Sequence, residues 1–283
     1  MASFKEIRKR INSIKSTRKT TSAMRMVSSS KLHKAENEIT NMQPYSDALY
    51  KILASMLTSD YSTALATERP VRNVAIVAFS SDSSLCGAFN SNIIRELQRS
   101  VKRYSLQSPA VDNIYIYTVG KKVYDAVRKS GIKITQNLAN LAGKSDYNAV
   151  AALGETLIEQ FADAKIDRVE MIYHHFKSAG SQTLVCERIL PVACNRKEGD
   201  RGHGVEFILE PSHDRILQVL IPKSIKLKLF TALLDSNASE HAARMIAMQT
   251  ATDNADDLVT ELTVAYNKSR QQAITNELLD IAR

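Results

Sequence analysis

Few residue groupings in this 283-residue chain could carry chemistry. The first candidate is the polar run Ser80-Ser81-Asp82-Ser83-Ser84-Leu85-Cys86-Gly87-Ala88-Phe89-Asn90, which follows an apolar segment, Val74 to Phe79. A turn at the carboxyl end of a parallel strand is where open α/β sheets hold ligands. This one contains a single glycine, so it reads as a structural strand-to-helix turn in preference to a ligand site. Cys86 could act as a nucleophile beside a histidine, but a small buried thiol is the commoner outcome. No G-x-G-x-x-G follows a strand and no G-x-x-x-x-G-K-[ST] occurs, so the glycines that let backbone amides approach phosphate are missing.

The six histidines, His33, His174, His175, His203, His213 and His241, form no H-E-x-x-H and no Cys/His quartet at zinc spacing. Adjacent His174 and His175 on one strand would point to opposite faces, which disfavours joint ligation. No carboxylate pair stands out as an acid/base dyad. The three cysteines, Cys86, Cys186 and Cys194, have an odd count and no C-x-x-C spacing, which fits a reducing compartment better than a disulfide framework. No catalytic residue, metal site or cofactor is therefore expected.

Charge is the stronger signal. Of the net +8, a +9 lies between Met1 and Lys34, where ten Lys or Arg face one acid, Glu6, and the other 249 residues sum to −1. Such a face attracts nucleic acid, anionic lipid or an acidic protein segment, unless it is simply a solvated helix surface. Sparse aromatics among these basic residues leave nucleic-acid bases little to stack on, which weighs against that partner. A basic, acid-poor, Ser-rich start also fits a mitochondrial transit peptide, but the helical pattern continues past the point where a cleavable segment would end.

The elements that must position these residues follow from periodicity. Steps of three and four visit Phe4, Ile7, Ile11, Ile14, Arg18, Thr21, Arg25, Ser28, Leu32, Ala35, Ile39, Met42, Ser46, Leu49, Leu53 and Met56, of which eleven of sixteen are apolar. That heptad seam predicts one long coiled-coil helix, turning polar between Arg18 and Ser30 and kinked or restarted at Pro44. After Arg69-Pro70 the pattern changes. Strands are predicted at Val74 to Phe79, Ile114 to Val119, Ile132 to Ile134, Arg168 to Phe176 and Thr183 to Pro191. Helices fall near Asn90 to Tyr104, Lys121 to Lys129 and Tyr147 to Phe161. The last two strands read as a hairpin across Ser178-Ala179-Gly180-Ser181, and Cys194 to Val205 as a surface loop or linker. From Pro222 or slightly earlier to Arg283 the chain is helical again, with apolar positions at Leu229, Leu233, Met245, Met248, Leu258, Leu262, Ala265, Ile274, Leu278 and Ile281.

The expected fold is α/β with long helices: an antiparallel coiled coil of the two terminal helices plus a central Rossmann-like open α/β domain. Residues 1–67 form the first helix, 68–210 the central domain and 211–283 the second helix. The 44% hydrophobic and 24% charged composition excludes disorder. No apolar run approaches the roughly 18 residues that cross a bilayer, so any membrane link is peripheral or through a partner.

Three stretches carry a resemblance. Ile7-Arg8-Lys9-Arg10-Ile11 with Ser16 to Lys31 (STRKTTSAMRMVSSSK) resembles the first helix of the γ subunits of F-type ATP synthases. Ser239 to Met248 (SEHAARMIAM), Ala251-Thr252-Asp253-Asn254-Ala255 and Tyr266 to Leu278 (YNKSRQQAITNEL) resemble their last helix, and Ser81-Asp82 with Leu85-Cys86-Gly87 their central domain. There are two departures. The family's Asp-Arg-Gly-Leu-Cys-Gly-Gly reads Asp82-Ser83-Ser84-Leu85-Cys86-Gly87-Ala88 here, and the sequence stops at Arg283 where many relatives continue with a short, small-residue apolar tail, so that the tip is expected to penetrate less deeply.

The resemblance implies a non-catalytic rotor shaft coupling ion flow to ATP synthesis or hydrolysis at β-subunit sites. Its implied partners are an α3β3 ring, an ε subunit and a membrane c ring, with no nucleic acid. Its implied location is peripheral, on the cytoplasmic side of a bacterial inner membrane. It further implies that Met24 and Arg25 meet an acidic lever loop of β, and that Arg270, Gln271, Thr275 and Glu277 form a polar catch. Arg244 would brace the first helix from the second, and Ile274, Leu278, Leu279, Ile281 and Ala282 would turn in an apolar collar.

Overall fold

The computed structural model describes residues 4–56, 64–107, 111–192, 210 and 212–282. The expected loop from Cys194 to Val205 lies outside them. Two long helices, α1 (Phe4–Met56) and α5 (His213–Ile281), bracket a five-stranded sheet with its own helices. Between them run β1 (Asn73–Phe79), α2 (Phe89–Gln107), β2 (Asn113–Val119), α3 (Lys121–Lys129) and β3 (Ile134–Asn137). A 3-10 turn at Ala139–Leu141, then α4 (Tyr147–Ala162), β4 (Arg168–Ser178) and β5 (Ser181–Leu190) complete the set. Strand order is β3-β2-β1-β4-β5, parallel except for the antiparallel β4–β5 hairpin, whose turn pairs Ser178 with Ser181.

The centre of the sheet follows from residue type. Val74 to Phe79 are at most 1% exposed because β1 is covered on both faces, as central parallel strands are. Their alternation sorts them: Ala75, Val77 and Phe79 enter one core, and Val74, Ile76 and Ala78 the other. The second core is closed by Phe89, Ile93 and Leu97 of α2 and Val123 and Val127 of α3. The first is closed by Val150, Leu153, Leu157 and Phe161 of α4 and by Leu217 to Leu234 of α5. Asp146 caps α4, accepting from the amides of Asn148 at 3.0 Å and Ala149 at 3.3 Å.

The edge strand departs from expectation. Instead of Ile132 to Ile134, pairing with β2 begins at Ile134 and runs to Asn137. Ile132 packs against the core beneath, whereas the exposed Thr135, Gln136 and Asn137 belong to the ladder; edge pairing is set by backbone partners, and hydrophobicity does not report it. At Pro44 the expected second start is absent: α1 runs unbroken, and the carbonyl deprived of a partner is that of Thr40 on an exposed turn. Helix α5 begins nine residues before Pro222 and continues through it.

The chain divides into two compact units. The sheet-bearing unit, Leu32–Ala243, holds the second half of α1 and the first part of α5. There Leu49, Leu53 and Met56 share a core with Leu217 and Ile221, and a ring nitrogen of His213 lies 3.0 Å from the Met56 carbonyl oxygen. The helical unit comprises Met1–Lys31 with Arg244–Arg283.

Candidate functional site

In the helical unit the heptad seam of α1 is the buried side. Ile7 and Ile11 are buried, Ile14, Arg18, Thr21 and Arg25 half-buried, and Ser28 buried, with none of these exposed. The opposing line on α5 runs Met248, Thr252, Ala255, Val259, Leu262, Tyr266, Ser269 and Ala273 in alternating steps of four and three. Leu258, Ala265, Ile274, Leu278 and Ile281, which share the helical apolar spacing of this segment, face outward instead. Apolar residues occur on two sides of this helix, and only the partner decides which side becomes the seam.

Where the α1 seam turns polar, it meets polar residues of α5. The Arg18 guanidinium pairs with Asp256 at 2.5 Å, the Thr21 and Thr252 hydroxyls bond at 2.9 Å, and Arg25 Nη1 donates to Gln249 Oε1. Rising numbers on α1 meet falling numbers on α5, as antiparallel helices require. Exposed or half-buried, such bonds are worth about 1 kcal/mol each, so together they select a register more than they add stability. Extended by the same steps, that register sets Ile11 opposite the Leu262 turn and Phe4 opposite the turn at 269–270. Beyond that turn, α5 continues past the first described residue of α1.

This end of α5 contains the residues that the resemblance assigns to the tip. Ile274, Leu278, Leu279 and Ile281 are 44%, 62%, 61% and 83% exposed, off the seam and on the outside. Arg270, Gln271 and Thr275 are exposed as well, with the Thr275 hydroxyl donating to the Gln271 carbonyl at 2.9 Å; the Glu277 side chain lies outside the described set. Met24 is half-buried beside Arg25, while Met26 and Val27 are 65% and 56% exposed. Arg244 is buried, at 8% exposure. Residue types do not reveal Gln249, Thr252 and Asp256 as partners. The signal that could have found them is the phase: they fall beside the polar lapse once the antiparallel register is drawn.

The sheet-bearing unit offers structural networks. The Ser80–Asn90 run is a tied turn. Ser80 Oγ donates to the Val119 carbonyl at 3.0 Å and accepts from the Val123 amide at 3.2 Å, and Asp82 accepts from the Lys121 amide at 3.0 Å at the start of α3. Cys86 is 2% exposed, with the Asn90 amide nitrogen 3.1 Å from its sulfur. The adjacent histidines do part to opposite faces. His174 stacks on Phe89, ring centroids 4.5 Å apart, and burial pushes its pKa down to about 4. His175 Nδ1 lies 2.5 Å from Asp235 on α5, whose carboxyl burial pushes up against the lowering effect of that histidine.

Two further clusters were not legible in the sequence. Buried Glu170 accepts from Arg103 at 2.8 Å and from the Tyr104 hydroxyl. Glu187 accepts from the Tyr173 hydroxyl at 3.0 Å and lies 3.1 Å from Lys228; burial and this carboxylate push Tyr50 up to about 12 and Tyr173 up as well. Both satisfy their own charges. Among the described residues, no group of three or more His, Cys, Asp or Glu is arranged to hold a metal ion, and no helix is long and apolar enough to cross a membrane.

Fold and site together define a coiled-coil protein with an open α/β domain inserted between its helices. A family model described as ATP synthase matches residues 3–283. The chain is 53% identical to the ATP synthase gamma chain of Bacteroides fragilis over 99% of its own length and 98% of that relative's. It is 50% identical to the gamma chain of Phocaeicola vulgatus with the same coverage of both chains. Its fold is similar to the rotor of the Euglena gracilis mitochondrial ATP synthase (TM-score 0.65, 18% identity, 96% of this chain and 98% of that one). It also resembles a chain of the central stalk and c-ring structure of the Tetrahymena thermophila enzyme (TM-score 0.59, 22% identity, 82% and 99%). The chain belongs to the ATP synthase gamma-chain family.

Proposed function

We infer that this chain is the central rotor shaft of an F-type ATP synthase, coupling ion flow through a membrane sector to ATP synthesis or hydrolysis at sites on β subunits. The observation that carries this reading is the full-length similarity to gamma chains, at 53% identity. The shaft forms no bonds in substrate; its part is mechanical. Its partners are an α3β3 ring, an ε subunit and a c ring, which hold it at the cytoplasmic face of a bacterial inner membrane.

The physics requires asymmetry. A shaft that interacts equally with every state of a β subunit shifts no equilibrium, however tightly it is held. Moving a site from 1:99 to 99:1 takes about 5.5 kcal/mol of differential interaction, so several contacts act together. The helical unit meets this requirement with chemically distinct sides. It carries basic residues along α1, an exposed Met26 and Val27 beside Arg25, and outward apolar residues at the end of α5.

Met24 and Arg25 meet an acidic loop of β. Arg270, Gln271, Thr275 and Glu277 form the polar catch, and Arg244 braces the first helix from the second. Ile274, Leu278, Leu279 and Ile281 turn in an apolar collar, and their exposure in the lone chain supports that role. The test is reconstitution of α and β subunits with this chain. Stoichiometric capture in the ring and raised, rotation-coupled ATP turnover are expected; exclusion from the ring overturns the assignment.

A further inference from the structure

We infer that Gln249 is a positioning residue that holds the Arg25 guanidinium in place without cancelling its charge, so that Arg25 meets its acidic partner as a full cation. This rests on the role proposed above for Arg25.

The two seam arginines are held differently. Arg18 pairs with a carboxylate, Asp256, and the pair is neutral. Arg25 donates to an amide oxygen, and among the described residues no carboxylate comes within ion-pair distance of it. The other end of the same amide is also committed: Gln249 Nε2 donates to Asp253 Oδ1 at 2.7 Å, one turn along α5. A guanidinium can only donate and an ionised carboxylate only accepts. A side chain bridging them must accept on one side and donate on the other, which an amide does and neither a carboxylate nor an ammonium can. Asp253 therefore fixes which way the Gln249 amide faces, and the amide fixes Arg25. Because Arg25 is half-buried at the seam while Met26 and Val27 beside it are exposed, the held cation sits next to an open surface. Charge kept in place and uncancelled is what an acidic loop recognises.

The experiment uses the assembled ATP synthase in sealed membrane vesicles, reading gradient-driven ATP synthesis and assembly in parallel. Gln249→Glu keeps a bond to Arg25 but cancels its charge. Combining it with Asp253→Asn removes the like-charge repulsion one turn away. Both forms are expected to assemble and to synthesise ATP about tenfold more slowly, as for loss of a charged contact. Gln249→Met, which leaves Arg25 charged but untethered, is expected to assemble and to lose about threefold. Asp256→Asn, which leaves Arg18 uncancelled, is expected to synthesise at the wild-type rate. A purely structural Gln249 gives a different pattern, because the carboxylate variants tether Arg25 more tightly and would then synthesise normally. Wild-type synthesis by the carboxylate variants or by Gln249→Met, alongside a defective Arg25→Gln, overturns the inference and leaves the role of Arg25 standing. Wild-type synthesis by Arg25→Gln overturns that role and the inference with it.

Discussion

His174 is held neutral by its surroundings: packed on Phe89 at 4% exposure, its ring has a pKa of about 4, against 6.5 when solvated. Between those two values the unfolded chain binds a proton that the folded chain does not. Its stability contribution is thus complete above pH 6.5 and is lost as pH falls toward 4, by up to about 3 kcal/mol. Replacing His174 by Leu is expected to flatten the pH dependence of the urea midpoint across that window, beyond which carboxylates take over. At Arg25, charge reversal is expected to lower coupled ATP synthesis at least tenfold with a melting shift worth no more than about 1 kcal/mol, since the bond lost is one half-exposed contact; synthesis and thermal melting of the same preparation separate the two. At this scale the sequence was informative where a side chain's direction follows from strand alternation, as for His174 and His175. It was silent on Gln249, whose meaning depends on what another helix brings opposite it.

Helices and strands were legible in proportion to how much of their environment is local. The seam of α1 and the bounds of α3 follow from residue period alone, because apolar spacing and the polar residues between leave one solution. The edge strand β3 and the face of α5 do not, since each is chosen by a neighbour. The outward turn of Leu258, Ile274 and Leu278 is the clearest case, and it separates two kinds of apolar residue that look alike in sequence. Ile11→Ala in the seam is expected to cost about 2–4 kcal/mol of stability, whereas Leu279→Ala at the exposed end of α5 leaves melting unchanged. Equal losses in the two would show that Leu279 is packed core. In the sheet, Gly120 has φ +95° and an added Cβ would lie 2.2 Å from the Ser80 carbonyl oxygen. Gly120→Ala is expected to lower the melting temperature of the chain by the equivalent of about 2 kcal/mol or more, as for a strained backbone.

For the molecule as a whole, the antiparallel register makes a mechanical claim. If the two terminal helices turn as one piece, joining them covalently should cost no activity. The Thr21 and Thr252 hydroxyls are 2.9 Å apart, close enough for a disulfide after Thr21→Cys and Thr252→Cys in a chain whose native thiols have been replaced. Oxidised complexes are expected to hydrolyse ATP at the rate of reduced ones. A loss on oxidation that reducing agent reverses would mean that the helices must slide past each other. The class of fold was readable here from two long periodic stretches at opposite ends of the sequence, while their division into a sheet-bearing and a purely helical unit was not, because α5 runs through Ala243 without a break.

The same separation of partners has a consequence for biosynthesis. Arg18 and Asp256 are 238 positions apart, so the first helix leaves the ribosome with its apolar stripe uncovered and nothing yet made to cover it. At about 5–20 residues per second the wait is on the order of ten seconds or longer. Throughout that interval, Ile7, Ile11 and Ile14 are presented to whatever else in the cell binds greasy helices.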